Sequence, residues 1–316
     1  MAGSTISTLA NLARPNVSQQ VVDLLFRKTD LFDLLRASGR VSQGVGPSPF
    51  KWNVVTTANA SAEVFVEGQA PGTVGRQATA QASLDAFYVR ATYGITGHAM
   101  DNAGKDGFYT DPVALEQMLA ESDLFKKLED ELVGSTQDRG IAAIIDATGT
   151  YASLAQGTYS VWASEENGSV GTLGIDDFED LYEELTSASV SSVPRGASPT
   201  HILTTPNQIT NYVRSIGPAA SSGGTFRINP GMGFDAGFTR PGMSSFNGLP
   251  IVPVRGLTNT ELYMVDINDL ELLIHRDLKM DEIVGNPEER KVAISTAVAL
   301  KVAHRNWHGK MTGITA

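Results

Sequence analysis

The sequence predicts an α+β fold in which one long helix acts as a spine between two strand-rich regions. Three observations carry that reading. From Asp111 to Thr148, apolar residues recur at helical spacing: Leu115, Met118, Leu119, Phe125, Leu128, Leu132, Val133, Ile141, Ile144 and Ile145. Before that run, Phe50, Trp52 and Val54, and again Phe87, Val89, Ala91, Tyr93 and Ile95, alternate with more polar residues at the period of a strand. Between these two stretches lies a connection of roughly 27 residues (Thr56–Ala82), against about 2–5 in an ordinary hairpin.

Taken in order, Met1 to Pro15 reads as a loose arm rich in Ser, Thr and Ala. A helix then starts at Asn16 or Ser18 and runs through Arg36 on the apolar face of Val21, Val22, Leu24, Leu25, Leu31, Phe32, Leu34 and Leu35. Ser38-Gly39 ends it. Strands are expected at Phe50–Thr57 and Ser83–Thr96, with Val64 and Val66 marking a short strand inside the connection. The loop Ala58–Thr79 is too poor in large apolar residues to bury itself on its own subunit. It is either a mobile surface loop or an arm that becomes ordered on a neighbour.

The spine opens with Asp111 as a cap and Pro112 where a missing amide costs nothing. Its far face is charged at i, i+4 spacing: Asp123 with Lys127, Lys126 with Asp130, Lys127 with Glu131. An unbroken helix of this length would run roughly 55 Å. Gly134 and Gly140 each cost about 1 kcal/mol against Ala, so two helices joined near Gly134 is the alternative. Beyond the spine, Thr150–Gly174 reads as a loop or weak hairpin. Ile175–Ser187 is an acidic helix with Phe178, Leu181, Tyr182 and Leu185 inward. Thr200–Thr204 is a strand, Pro206–Ile216 a helix, and Gly217–Gly248 an irregular stretch. Strands follow at Leu249–Val254, Glu261–Asp266 and Leu270–His275. Lys291–His304 closes the pattern, with Val292, Ile294, Val298, Leu300 and Val302 on one face and the small Ala293, Ser295, Ala297 and Ala299 on the other.

Composition narrows the function. At 316 residues, 41% apolar and 19% charged, the chain can bury a substantial core and is neither disordered nor membrane-spanning in character. The N-terminal stretch lacks a basic and apolar signal pattern, which argues against secretion and leaves the Asn-x-Ser matches at Asn16, Asn59 and Asn167 as chance. With no cysteine, disulfides and thiolate metal sites are excluded. A net charge of −11 disfavours specific binding to a phosphate backbone.

No catalytic constellation emerges. His98, His201, His275, His304 and His308 fall in separate elements. His304 and His308 stand four apart, but in a strand-like setting without a carboxylate at metal spacing. Gly231 to Ala236 loosely matches a dinucleotide fingerprint, yet no apolar strand precedes it and no helix can follow it. The acidic residues Asp176, Asp177, Glu179, Asp180, Glu183 and Glu184 have helical period and no glycine-turned loop, so they read as a solvated helix face and not as a calcium site. Catalytic, cofactor-binding and metal-ligating residues are therefore all assigned as none. An enzymatic reading would have to use His201 and Asp176 as the site of a metal-dependent hydrolase.

In this order the pieces resemble the tailed-phage major capsid proteins, whose shell fold is shared with encapsulins. The resemblance rests on the arm and helix (Asn16–Arg36), the extended loop on two strands, the spine, and the ending. That ending comprises Phe246–Leu257 (FNGLPIVPVRGL), Tyr263–Asp277 (YMVDINDLELLIHRD) and Arg290–Gly309 (RKVAISTAVALKVAHRNWHG). It implies an N-terminal arm and helix over 1–40 and an extended loop with its strands over 41–104. It also implies a peripheral domain made of 105–151 and 262–316, and an axial domain of 152–261. The function implied is a structural one: copies forming pentamers and hexamers of an icosahedral virion shell that encloses double-stranded DNA, made in the host cytoplasm, without membrane contact. An encapsulin-like compartment holding protein cargo is the alternative. Further partners implied are a portal, a decoration protein and, because the arm is short, a separate scaffolding protein. Some capsids of this family join a loop lysine to an asparagine of another subunit. Here no lysine lies between Lys51 and Lys105, so no such bond is expected.

Overall fold

A computed structural model describes residues 29–44, 46–57, 61–70, 72–97, 112–134, 137, 139–187, 196–212, 245–283 and 289–315. Helix α1 (Asp30–Ala37) follows Thr29, whose backbone is not helical, so the helix expected from Asn16 does not run through this point. Residues 16–28 lie outside the described ones. A carboxylate from another helix satisfies the start of α1: Glu129 accepts the amides of Leu31 at 2.7 Å and Phe32 at 3.0 Å.

That carboxylate belongs to the spine, α2 (Pro112–Gly134), which is 23 residues and about 35 Å long. The helix stops at Gly134. The chain becomes helical again only for one turn, α3 (Ile141–Ile144), entered from an extended Gly140. The apolar periodicity does continue to Ile145, but through a separate turn. Both glycines lack the side chain that would offset their entropic cost in a helix. Leu124, Leu128, Leu132 and Val133 are buried, whereas Met118, expected inward, is exposed.

The spine packs on a four-stranded sheet ordered β1-β13-β14-β4. Its strands are β1 (Val41–Gln43), β13 (Leu270–Ile283), β14 (Glu289–Val302) and β4 (Phe87–Thr96). β1 runs parallel to β13 and the other pairs are antiparallel. β13 continues eight residues past His275, where the sequence pattern ends, because β14 offers a partner along its whole length. Both faces of β14 are buried from Val292 to Leu300, the small side chains included. Phe87 and Val89 share one core with Leu124, Leu128, Leu132, Ile294 and Val298.

Strand β2 (Phe50–Thr57) pairs antiparallel not with β4, as expected, but with β3 (Ala78–Leu84), from Phe50↔Leu84 to Thr57↔Ala78. β4 belongs to the spine sheet instead. Between α3 and the next helix lie short strands: β5 (Thr150–Tyr151) and β6 (Leu154–Ala155) as a hairpin, then β7 (Glu165–Asn167) and β8 (Gly171–Thr172).

Helix α4 (Ile175–Thr186) begins where expected, with Asp177 accepting the Gly174 amide at 2.7 Å. It lies over a six-stranded sheet ordered β10-β11-β9-β12-β15-β7, where β9 is His201–Thr204, β10 Ser245–Phe246, β11 Leu249–Pro253, β12 Leu262–Val265 and β15 Gly309–Met311. At Gly309 the approach is close: an added Cβ would stand 2.8 Å from Leu181 Cδ1. Strands from both sides of the expected boundary at 261/262 share this sheet. A further short pair joins β16 (Ile314–Thr315) to β8. A helix over 206–212 begins at Pro206, and the residues expected to continue it, with most of Gly217–Gly248, lie outside the described ones.

Two buried anchors tie the ending to the spine region. Arg305 donates to the carbonyls of Ala143, Ile144, Asp146 and Thr148, so it caps α3 and the turn after it. The Tyr151 hydroxyl donates to Leu300 O at 3.0 Å and accepts from Val302 N at 2.9 Å.

Candidate assembly surfaces

Between β2 and β3 lie residues 58–77, of which 61–70 and 72–77 are described and form an arm off the hairpin. Every described residue from 61 to 70 is exposed. Val64 is 99% exposed, Phe65 70%, Val66 73% and Val74 85%. No strand forms at Val64–Val66, contrary to the sequence reading. A few polar ties still shape the tip. Glu63 accepts the Gly72 amide at 2.7 Å, Gln69 accepts the Val66 amide at 3.2 Å, and the Gln69 amide returns to Val66 O at 2.9 Å. Gly68 takes φ +88°, which a residue with a side chain rarely adopts. The arm is thus a shaped loop that presents apolar side chains to water, an arrangement a monomer gains nothing from.

The histidines are placed structurally. His98 lies outside the described residues. His275 meets Gly46 O at 3.3 Å and packs edge-on to Phe50. His201 meets Thr200 Oγ1 at 3.0 Å; burial lowers its pKa and the Asp266 carboxylate opposes that shift. Asp176, its proposed companion, stands exposed on the first turn of α4.

His304 and His308 do converge, on Asp269. His304 Nδ1 lies 2.7 Å from Oδ1 and His308 Nε2 3.2 Å from Oδ2. Because the Asp266 amide donates to His308 Nδ1, the ring proton sits on Nε2 and points at Asp269. Both nitrogens of His308 are therefore spent on hydrogen bonds. Burial alone would raise the Asp269 carboxyl; the His308 and His304 contacts overcome it and hold it at about 2. Among the described residues, no three His, Cys, Asp or Glu side chains gather at metal-binding geometry. The dinucleotide-like glycines, Gly231–Ala236, lie outside the described residues.

What the molecule displays is surface: an ordered arm with bare apolar tips, standing on a frame of two sheets and a spine. The sequence matches the family model described as SU10 major capsid protein over residues 3–315. The chain belongs to the SU10 major capsid protein family. As a member it is a structural protein of the virion whose copies assemble into the capsid shell. No curated protein sequence matches it significantly. The fold is shared with the cyanophage A-1(L) capsid asymmetric unit, at TM-score 0.74 and 17% identity, covering 99% of this chain and 100% of that one. The capsid of a native GTA particle aligns at TM-score 0.69 and 11% identity over 100% of both chains. The SrpI encapsulin of Synechococcus elongatus PCC 7942 aligns at TM-score 0.59 and 12% identity, over 99% of this chain and 96% of that one.

Proposed function

We propose that copies of this major capsid protein form pentamers and hexamers and close into an icosahedral shell around double-stranded DNA, each laying its 58–77 arm on a neighbour. In this reading the spine, α3 and the β13–β14 pair belong to a peripheral domain, and α4 with the strands around β9 and β11 to an axial domain at capsomer centres. The role is mechanical and not catalytic. Portal, scaffolding and decoration proteins are expected partners made alongside it in the host cytoplasm. DNA is touched non-specifically, because a chain of net charge −11 offers no general attraction to phosphate.

The observation that carries the proposal is the exposed Val64-Phe65-Val66 tip on a loop held in shape by its own hydrogen bonds. A shell subunit needs large surfaces that other copies complete. The experiment replaces residues 58–77 with a two-residue Asn-Gly turn joining Thr57 to Ala78. Particles should disappear from sedimentation profiles while thermal unfolding of the subunit stays nearly unchanged. Particles of normal yield from the shortened chain, or a subunit that no longer folds, would refute it. Nuclease-protected DNA in wild-type particles distinguishes a genome shell from an encapsulin-like compartment filled with protein.

A further inference from the structure

One face of the four-stranded sheet is turned away from the spine, and its rows follow from the register. Tyr88 of β4 stands opposite Ala297 of β14 and Arg276 of β13; Arg90 stands opposite Ser295 and Lys279; Thr92 stands opposite Ala293 and Asp281. The β14 members are small and buried, so the taller side chains of β13 and β4 close over them and form the outer surface of this face. Arg276 lies between two register irregularities in β13, a local arrangement that re-aims a side chain. Its Nη2 donates to Ser295 Oγ at 2.9 Å, and its guanidinium lies 5.4 Å from the centre of the Tyr88 ring. Its Nε is buried without a hydrogen-bond partner.

Charge makes the position distinctive. Nearby cations on these strands reach a carboxylate: Lys279 with Asp281 at 2.7 Å, Arg290 with Glu282 at 3.2 Å, Lys291 with Glu289 at 2.9 Å. Among the described residues, Arg276 and Arg90 reach none. A planar guanidinium held by an aromatic ring and a hydroxyl is arranged to take a carboxylate in a paired contact. The arm carries a matching group. Its acids are Glu63 and Glu67; Glu63 is spent on the Gly72 amide, and Glu67 has no partner among the described residues. Beside Glu67 stand the exposed Phe65 and Val66, and beside Arg276 the exposed Tyr88 ring.

We propose that the arm tip of a second copy docks on this face, with its Glu67 paired to Arg276 and its Phe65 against the exposed Tyr88 ring. The inference rests on the reading that the arm crosses to a neighbour, and names where it lands.

The chain has no cysteine, so Ala70→Cys, at an exposed arm position outside the proposed contacts, can carry a single benzophenone label. Particles assembled from isotopically light and heavy copies are irradiated and the cross-linked peptides identified by mass. The expected products join the arm of one copy to Tyr88–Thr92 or Arg276–Lys279 of another. Cross-links between copies that map elsewhere, or to packaged DNA, overturn the docking site and leave the crossing arm intact. Cross-links confined to single copies overturn both. In parallel, Arg276→Glu should cut particle yield at least about tenfold, and Glu67→Arg in the same chain should restore it. Failure of the reversed pair to restore assembly overturns the pairing. Thermal unfolding of the subunits separates a folding defect from an assembly defect. If Arg276→Glu does not fold, Arg276→Met, which keeps the stem over Tyr88, must show the yield loss for the proposal to stand.

Discussion

The arm tip and the closing strand β14 are built from similar material and meet opposite fates. Both are rich in apolar and β-branched residues: Glu63-Val-Phe-Val-Glu67 in one, Val292-Ala-Ile-Ser-Thr-Ala-Val298 in the other. From Val292 to Leu300 nothing in β14 is exposed, whereas from 61 to 70 in the arm everything is. The difference lies in the neighbours. β14 has β13 on one edge, β4 on the other, the spine on one face and the Arg276 and Tyr88 side chains on the other. The arm has only its own turn. Burying one Val or Phe is worth about 1.5–3 kcal/mol, so the tip holds several kcal/mol that its own subunit does not collect. Apolar residues in β14 stabilise the subunit; in the arm they are available for contacts between subunits.

That contrast can be broken most forcefully from the core side. Leu128→Ala removes a buried side chain of the spine at the sheet contact and should destabilise the isolated subunit by about 2–5 kcal/mol. Phe65→Ser removes a larger side chain yet should change subunit stability by less than about 0.5 kcal/mol, while lowering particle yield. Chemical denaturation of unassembled subunits measures the first pair of numbers, and sedimentation of the assembly reaction the last. Comparable destabilisation by both would mean that the arm packs on its own subunit.

A middle-sized effect sharpens the comparison by pH. Asp269 has a carboxyl held at about 2 in the folded chain against the ordinary 3.8. A folded-state pKa below the unfolded one gives stability that is full above about pH 4 and is lost as pH falls toward 2. Asp269→Asn should therefore cost about 2 kcal/mol at neutral pH and flatten the loss of stability between about pH 4 and 2. Urea unfolding of subunits across that range is the measurement. An unchanged acid limb in the variant would show that the His304–Asp269–His308 cluster does not hold the ending in place. The arm has no comparable buried charge, so its removal should leave that limb as it is.

Much of the frame was legible in the sequence, because local pattern and burial agree there. Strand β2 and helix α4 fall within a residue of their expected bounds. The strands that the sequence does not show share one cause, which is partners distant in sequence. β3 (ATAQASL) has almost no strand-forming side chains and becomes a strand only because Phe50–Thr57 lies beside it. The far half of β13 is charged and reads as loop until β14 pairs with it. The spine was read too long because hydrophobic period continues across glycines that helical geometry does not cross. At the candidate interface, Val64 and Val66 suggest a short strand, but a β-branched pair cannot say whether a strand or a bare tip results. Arg276 carried no local signal. Its setting depends on the bulges of β13 and on Ser295 and Tyr88 from two other strands.

The smallest expected effect is no change at all, and it bears on how the shell holds. Joining subunits through a lysine–asparagine bond needs an amine that can lose its proton in a buried setting, a task suited to lysine and not to arginine. Between Lys51 and Lys105 the basic residues are Arg76 and Arg90. Lys51 itself is exposed near the start of β2, paired across the hairpin with Ser83 and far from the tip at 64–69. An arm that reaches its neighbour with Glu67 and Phe65 brings a carboxylate and a ring, neither of which forms an amide with a side chain unaided. Boiling mature particles in denaturant should therefore release one band at the monomer mass, with nothing above it on a gel. A ladder of multimers, with arm peptides found joined to peptides of other subunits, would show that covalent chemistry and not burial locks the arm in place. A single band leaves the exposed apolar tip and its charge partner to supply the grip, and predicts that disassembly responds to salt and denaturant in the manner of a non-covalent interface.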